Sequence, residues 1–169
     1  MSTMSIHLKH QFSVVAALFM VLSLFTGISH AAAPEINTLE KEGVFGKYKH
    51  NGIAIRGYDT VAYFTQGQAV EGSADITTEW QGATWQFSSE EHKDLFVATP
   101  EKYAPQYGGY CAYGIANDYV VKIEPEQWSI IDDKLYLNYD ARIQKAWSKN
   151  IAGYIKTADR KFEKLLAAQ

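Results

Sequence analysis

The 169-residue chain contains one cysteine, Cys111. A single cysteine forms no internal disulfide, and it excludes any cluster held by several thiolates. Met1, Met4 and Met20 are the only methionines, so no thioether stands near Cys111 in the sequence. Basic charge is also scarce: 16 Lys and Arg face 19 Asp and Glu, for a net charge of −3, with no basic cluster. That balance excludes a nucleic-acid partner. No basic amphipathic helix is present to lie on a membrane surface. The phosphate-binding Gly-Lys loop, the Gly-x-Ser-x-Gly elbow and the His-Glu-x-x-His motif are all missing. Beyond the first 31 residues only His50 and His92 remain, and no serine is marked as a nucleophile, so a hydrolase triad does not assemble. An enzyme with conventional turnover is the least supported class.

Long apolar runs are missing too, with one exception at residues 12–28. Lys9 precedes that run and Ser29-His30-Ala31, a small-x-small triplet, follows it. A basic start, an apolar middle and a small-residue exit are the parts of a secretory signal peptide. Cleavage is expected after Ala31, because a cut after Ala33 would face Pro34. An uncleaved anchor is the rival reading, but a spanning helix needs about 20 apolar residues, and this run is shorter and interrupted by Ser13, Ser23, Thr26 and Gly27. The expected organisation is a signal peptide at 1–31, a lead-in at 32–52 and a single domain at 53–169. The expected location is the periplasm, with no stable membrane association after cleavage. Without a disulfide the fold must rest on packing, for which 11 Tyr, 8 Phe and 4 Trp provide large side chains.

The pattern of the mature chain predicts an α+β fold, with a small antiparallel sheet built from hairpins, several short helices and a longer C-terminal helix. Residues 53–56 read as a short strand. Asp59 follows a Gly57-Tyr58 turn and caps a brief helix over 60–64. Residues 66–75 read as a loop. Residues 77–80 and 83–87 form a hairpin about Gln81-Gly82. Ser88 and Glu91 have capping-box spacing for the next helix, with Leu95 and Phe96 facing the core. Thr99-Pro100 ends that helix, and a further helical turn covers 100–103. Residues 119–123 read as a strand, and 128–131 and 135–139 as a second hairpin about Asp132-Asp133-Lys134. Asp140 caps a helix reaching about Lys149. The stripe Ile151, Tyr154, Ile155, Ala158, Phe162, Leu165 and Leu166 predicts an amphipathic last helix.

Chemistry centres on Cys111, the one soft ligand and thiol nucleophile of the mature chain. Gly108 and Gly109 precede it, Gly114 follows it, and Tyr107, Tyr110 and Tyr113 surround it. Gly-Gly permits close approach of backbone to a ligand or another strand. A helix starting near Cys111 would favour thiolate; equally, free cysteine is commonly a buried small hydrophobe. His92 and His50 are the histidines available for metal binding or proton transfer. A closed zinc site needs four ligands, and a low-coordinate soft ion such as Cu(I) fewer, though it prefers more sulfur than this chain offers.

The run from Gly57 to Phe64 (GYDTVAYF), then Trp85-Gln86-Phe87-Ser88-Ser89, Pro100-Glu101-Lys102-Tyr103 and Tyr107-Gly108-Gly109-Tyr110-Cys111-Ala112-Tyr113 resembles exported YHS-domain proteins. The resemblance extends from Ile53 to the C-terminal helix. Metal-associated YHS domains carry cysteines where this chain has Ala62, Ser88 and His92, so of that ligand set only His92 can still bind. The exported subgroup has Cys, in some relatives selenocysteine, at the position of Cys111, which implies a reactive chalcogen there. Three readings follow. The first is a copper-type soft-metal module using Cys111 with His92 or His50. The second is a single-thiol redox protein acting through Cys111. The third is an interaction or structural domain with Cys111 inert. Tyr110, Tyr113, Gly108, Gly109 and Asp59 are supporting residues in each. The expected partner is a metal-handling or thiol-redox protein. Metal reach to Cys111 would mark the first reading, exposure and a lowered pKa the second, and full burial against aromatics the third.

Overall fold

A computed structural model describes residues 33–168; the expected signal peptide lies outside the described residues. Among the described residues, six α-helices and three two-stranded antiparallel sheets make up an α+β fold. Strands β1 (Leu39–Lys41) and β2 (Tyr48–His50) pair first, then β3 (Ser73–Trp80) with β4 (Ala83–Phe87), then β5 (Glu124–Ile131) with β6 (Lys134–Asn138). Between them lie α1 (Thr60–Thr65), α2 (Glu90–Ala98), α3 (Pro100–Tyr103) and α4 (Ala112–Ala116); α5 (Ala141–Trp147) and α6 (Ile151–Ala167) follow. No helix among the described residues is long and apolar enough to cross a membrane.

Both expected hairpins form. Trp80 pairs with Ala83 across Gln81-Gly82, and Ile131 with Lys134 across Asp132-Asp133. All four turn residues have positive φ, the geometry that matches the twist of the flanking strands. The caps also form where carboxylates precede helices: Asp59 accepts from Val61 and Ala62, and Asp140 from Ile143.

The aromatic residues build the interior, in two clusters. Trp85, Phe87 and Phe96 pack with ring centroids 4.7 to 5.2 Å apart in the first. Tyr107, Tyr136 and Trp147 anchor the second, beneath the apolar stripe of α6. Cys111 belongs to the first cluster, while its neighbours Tyr110 and Ala112 belong to the second.

Four local expectations need correction. Residues 53–56 do not form a strand: Ile55 and Arg56 have φ of 51° and 57°. The left-handed turn buries Ala54 and Ile55 and directs Arg56 to Glu40 and Glu124. The loop expected over 66–75 is shorter, because β3 starts at Ser73. Residues 119–123 lie outside any ladder, and the strand starts at Glu124. Finally, the cap of α2 is Ser89, whose side chain accepts from the His92 amide. Ser88 is withdrawn from capping because Asp59 takes both its N–H and its hydroxyl. With that register Phe96 is buried as expected, whereas Leu95, expected to face the core, is exposed.

Candidate functional site

Cys111 stands where the chain turns into α4. It is the N-cap of that helix, and its sulfur accepts the Gly114 N–H at 3.3 Å. The Tyr113 N–H donates to Asn138 Oδ1 at 3.3 Å. The S–H reaches Asn138 Oδ1 at 3.7 Å, and Asn138 is itself fully buried and fixed by Gln144 at 2.5 Å. The Cys111 N–H donates to Val121 O at 3.3 Å.

These groups act on the thiol in opposite directions. Burial pushes its pKa up, the amides of Gly114, Tyr139 and Tyr113 pull it down, and Asp140 adds to the rise; the net direction is up. The S–H···Oδ1 contact with Asn138 also requires the proton to stay on sulfur. The residue is 1% exposed, so the exposure and lowered pKa expected of a reactive thiol at rest are not what the structure has. Cys111 is nevertheless among the residues lining a cleft of about 510 Å³, with Tyr113, Tyr119, Val121, Tyr139, Ile143 and Arg142, a size and lining suited to a small organic ligand. Tyr119 is 65% exposed at its rim. A larger cleft, about 740 Å³, runs along α6 and contains neither thiol nor imidazole.

The expected metal partners are engaged elsewhere. His92 Nδ1 bonds Asp59 Oδ2 at 2.6 Å, and its Nε2 lies 3.2 Å from Thr65 Oγ1. His50 Nδ1 bonds Thr38 Oγ1 at 2.8 Å, and its ring meets the edge of Tyr110. Among the described residues no group of three or more His, Cys, Asp or Glu is arranged to hold a metal ion.

Asp59 proves to be more than a cap. It is fully buried and accepts from Val61 N, Ala62 N, Ser88 N, Ser88 Oγ and His92 Nδ1. The positions that the YHS resemblance aligns with metal-binding cysteines, Ala62, Ser88 and His92, therefore do converge, and they converge on a carboxylate. Thr65, His92 and Asp59 have the order of a nucleophile, base and orienting acid. Thr65 Oγ1, however, donates to Val61 O at 3.0 Å, and both large clefts lie elsewhere. The cluster is a structural joint between α1, β4 and α2.

The glycines also have a structural task. Gly108 and Gly109 have φ of 58° and 79°, and their carbonyls accept from the Asn37 backbone N–H (2.8 Å) and side-chain amide (3.0 Å). The close approach read from Gly-Gly is thus to the N-terminal segment. Tyr110 is buried with its hydroxyl on Pro34 O, whereas Tyr113 lines the cleft and packs at a tilt against Tyr154.

Sequence reading missed Asn138, Tyr139, Arg142 and Lys122. The signal for Lys122 was present: a lone cation in the apolar run Val120-Val121-Lys122-Ile123 needs an internal partner when that run is buried. No curated protein and no solved structure matches the chain. Residues 61–107 match the family model of the YHS domain, and the match ends four residues before Cys111.

Proposed function

We propose that this protein is an exported YHS-domain binding module that engages a small ligand in the tyrosine-lined cleft, with Cys111 as the thiol at its floor. The observation that carries the reading is the placement of the one cysteine in the lining of a cleft of about 510 Å³, with the Gly114 N–H donating to its sulfur. The aromatic walls suit a planar organic ligand, and Arg142 suits one bearing an acid. A ligand that is itself a disulfide reacts there by exchange. The Cys111 thiolate attacks one sulfur, a Cys111–S–S–R bond forms, and the other half leaves as R–S⁻. Because the chain has no second cysteine, release requires a thiol from a partner. The raised pKa keeps the sulfur protonated at rest, which slows its oxidation in the periplasm.

The test uses 5,5′-dithiobis(2-nitrobenzoate), an aromatic disulfide with carboxylates, on the mature protein and on Cys111→Ser. One adduct per folded chain, formed faster than global unfolding and absent in the variant, supports the reading. Reaction only in denaturant returns Cys111 to an inert packing role. The YHS domain itself motivates a soft-metal reading, so Cu(I) competition against a chromophoric chelator is run alongside. A tight one-to-one complex lost in Cys111→Ser would replace the ligand reading with a copper site. Fractionation and N-terminal sequencing test export, with Ala32 the expected first residue.

A further inference from the structure

Lys122 is only 7% exposed, a rare state for a lysine. Its ammonium is held by the Glu124 carboxylate and by Tyr139 O at 2.9 Å, and lies 4.1 Å from the centroid of the Tyr139 ring. Tyr139 is therefore gripped by one side chain at both its carbonyl and its ring. It lines the Cys111 cleft and directly follows Asn138, whose Oδ1 accepts the Cys111 S–H at 3.7 Å, and its amide is among the groups that lower the thiol pKa. The residue before Lys122 closes the circuit, since Val121 O accepts the Cys111 N–H. Val121 and Tyr139 form a shared wall: the Cys111 cleft lies on one side, and a smaller cleft of about 290 Å³, lined by Lys122 and Tyr48, on the other.

We infer that Lys122 is a positioning residue for Cys111, acting through Tyr139, which it holds by carbonyl and ring as a wall of the Cys111 cleft, directly after the Asn138 that accepts the S–H. The inference rests on the thiol-floored cleft proposed above. Behind Lys122, Glu124 is also bonded to Arg56 (2.5 Å), and Arg56 to Glu40 (3.1 Å). The chain of charges thus ties the wall of the cleft to β1 and the left-handed turn. The other charged and titratable groups around the thiol are Asp140, the cap of α5, Arg142 in α5, Tyr113 in α4 and Tyr119 after it.

The experiment measures the pH dependence of adduct formation with 5,5′-dithiobis(2-nitrobenzoate) in wild type, Lys122→Met and Lys122→Arg, with thermal unfolding followed on each. Lys122→Met keeps the aliphatic stem and loses the ammonium. The expected result is a profile displaced to higher pH, about fivefold slower at pH 8, the equivalent of one net hydrogen bond to sulfur, with Lys122→Arg moving back toward wild type. A Lys122→Met profile with an unchanged midpoint overturns the inference, whether the rate is unchanged or uniformly faster, since uniform acceleration marks mere loosening. A wild-type protein that reacts only when unfolded instead removes the reading on which the inference stands, so the two failures are distinguishable. If Lys122→Met does not fold, Tyr139→Phe and Tyr139→Ala replace it: Phe keeps the ring and amide and should leave the midpoint in place, while Ala removes the ring that Lys122 grips and should raise it.

Discussion

His92 Nδ1 lies 2.6 Å from Asp59 Oδ2, and this bond closes a buried carboxylate cluster that also takes both donors of Ser88. Removing the carboxylate leaves Val61, Ala62, Ser88 and His92 without their acceptor. Asp59→Ala is expected to destabilise the fold by about 3 kcal/mol, and Ser88→Ala by about 1 kcal/mol. Guanidinium unfolding of both variants checks this. Equal small losses would show that the cluster does not join α1 to α2.

Gly108 and Gly109 predict a different failure. A Cβ at Gly108 would run into the Glu35 carbonyl, and one at Gly109 would meet Ile55 and Pro105 side chains, both at positive φ. Gly108→Ala meets backbone, which cannot swing aside, and is expected to cost more than 1 kcal/mol, roughly the left-handed penalty alone. It should also release the segment around Ile36, read as faster limited proteolysis there. Wild-type protection in that variant would mean that the Asn37 contacts do not hold the segment.

Much of the fold was legible because its signals are local. A turn pair flanked by β-formers, as at Gln81-Gly82, and a carboxylate one residue before a helix, as at Asp59 and Asp140, fix local geometry by themselves. The misreadings arose where tertiary partners decided. Ser88 has the spacing of a cap, but Asp59, 29 residues away, competes for it. Residues 53–56 have a strand's composition, but burial of Ile55 and the pull of two carboxylates on Arg56 turn the backbone left-handed. At the site, Cys111 was conspicuous by being alone. Asn138, Tyr139 and Lys122 were not, because only folding brings β6 and the 119–123 segment against α4.

Acid should weaken the charge chain behind Tyr139. Burial works against ionisation of Glu124, yet the Lys122 ammonium and then the Arg56 guanidinium hold its carboxyl below the ordinary 4.5. A depressed folded pKa contributes stability above the ordinary value, lost as pH falls through the folded one. The denaturation midpoint of wild type should therefore decline below about pH 4.5, and Glu124→Gln should decline less steeply. Parallel slopes in the two proteins would count against the ion-pair role of Glu124.

At the other end of the pH scale Tyr58 is the reporter. Burial, then Glu126 and Glu71, raise its hydroxyl to about 12 from 10.0. A raised folded pKa gives stability that is complete below 10.0 and lost as pH rises through the folded value. Tyr58→Phe should flatten the alkaline limb of stability, followed by circular dichroism, while leaving neutral stability within about 1 kcal/mol. An unchanged alkaline limb would assign the loss to the buried Tyr63, Tyr107 and Tyr110, whose hydroxyls are also raised by burial.

Asn138 offers the sharpest probe of the thiol itself. Its Oδ1 sits 3.7 Å from Cys111 Sγ and accepts the S–H, so a full negative charge at this place opposes the thiolate directly. Asn138→Asp is expected to slow adduct formation at pH 8 about tenfold, one pKa unit of added repulsion, and to move the pH profile upward. The substitution also replaces the Nδ2 that donates to Gln144, so some loss of stability accompanies it, and Asn138→Ser serves as the uncharged control with the same lost donor. Slowing in both variants alike would trace the effect to the broken Gln144 bond. Slowing confined to the carboxylate variant would establish that reaction proceeds through an anionic sulfur inside the folded cleft, which an adduct formed by transient unfolding would not show.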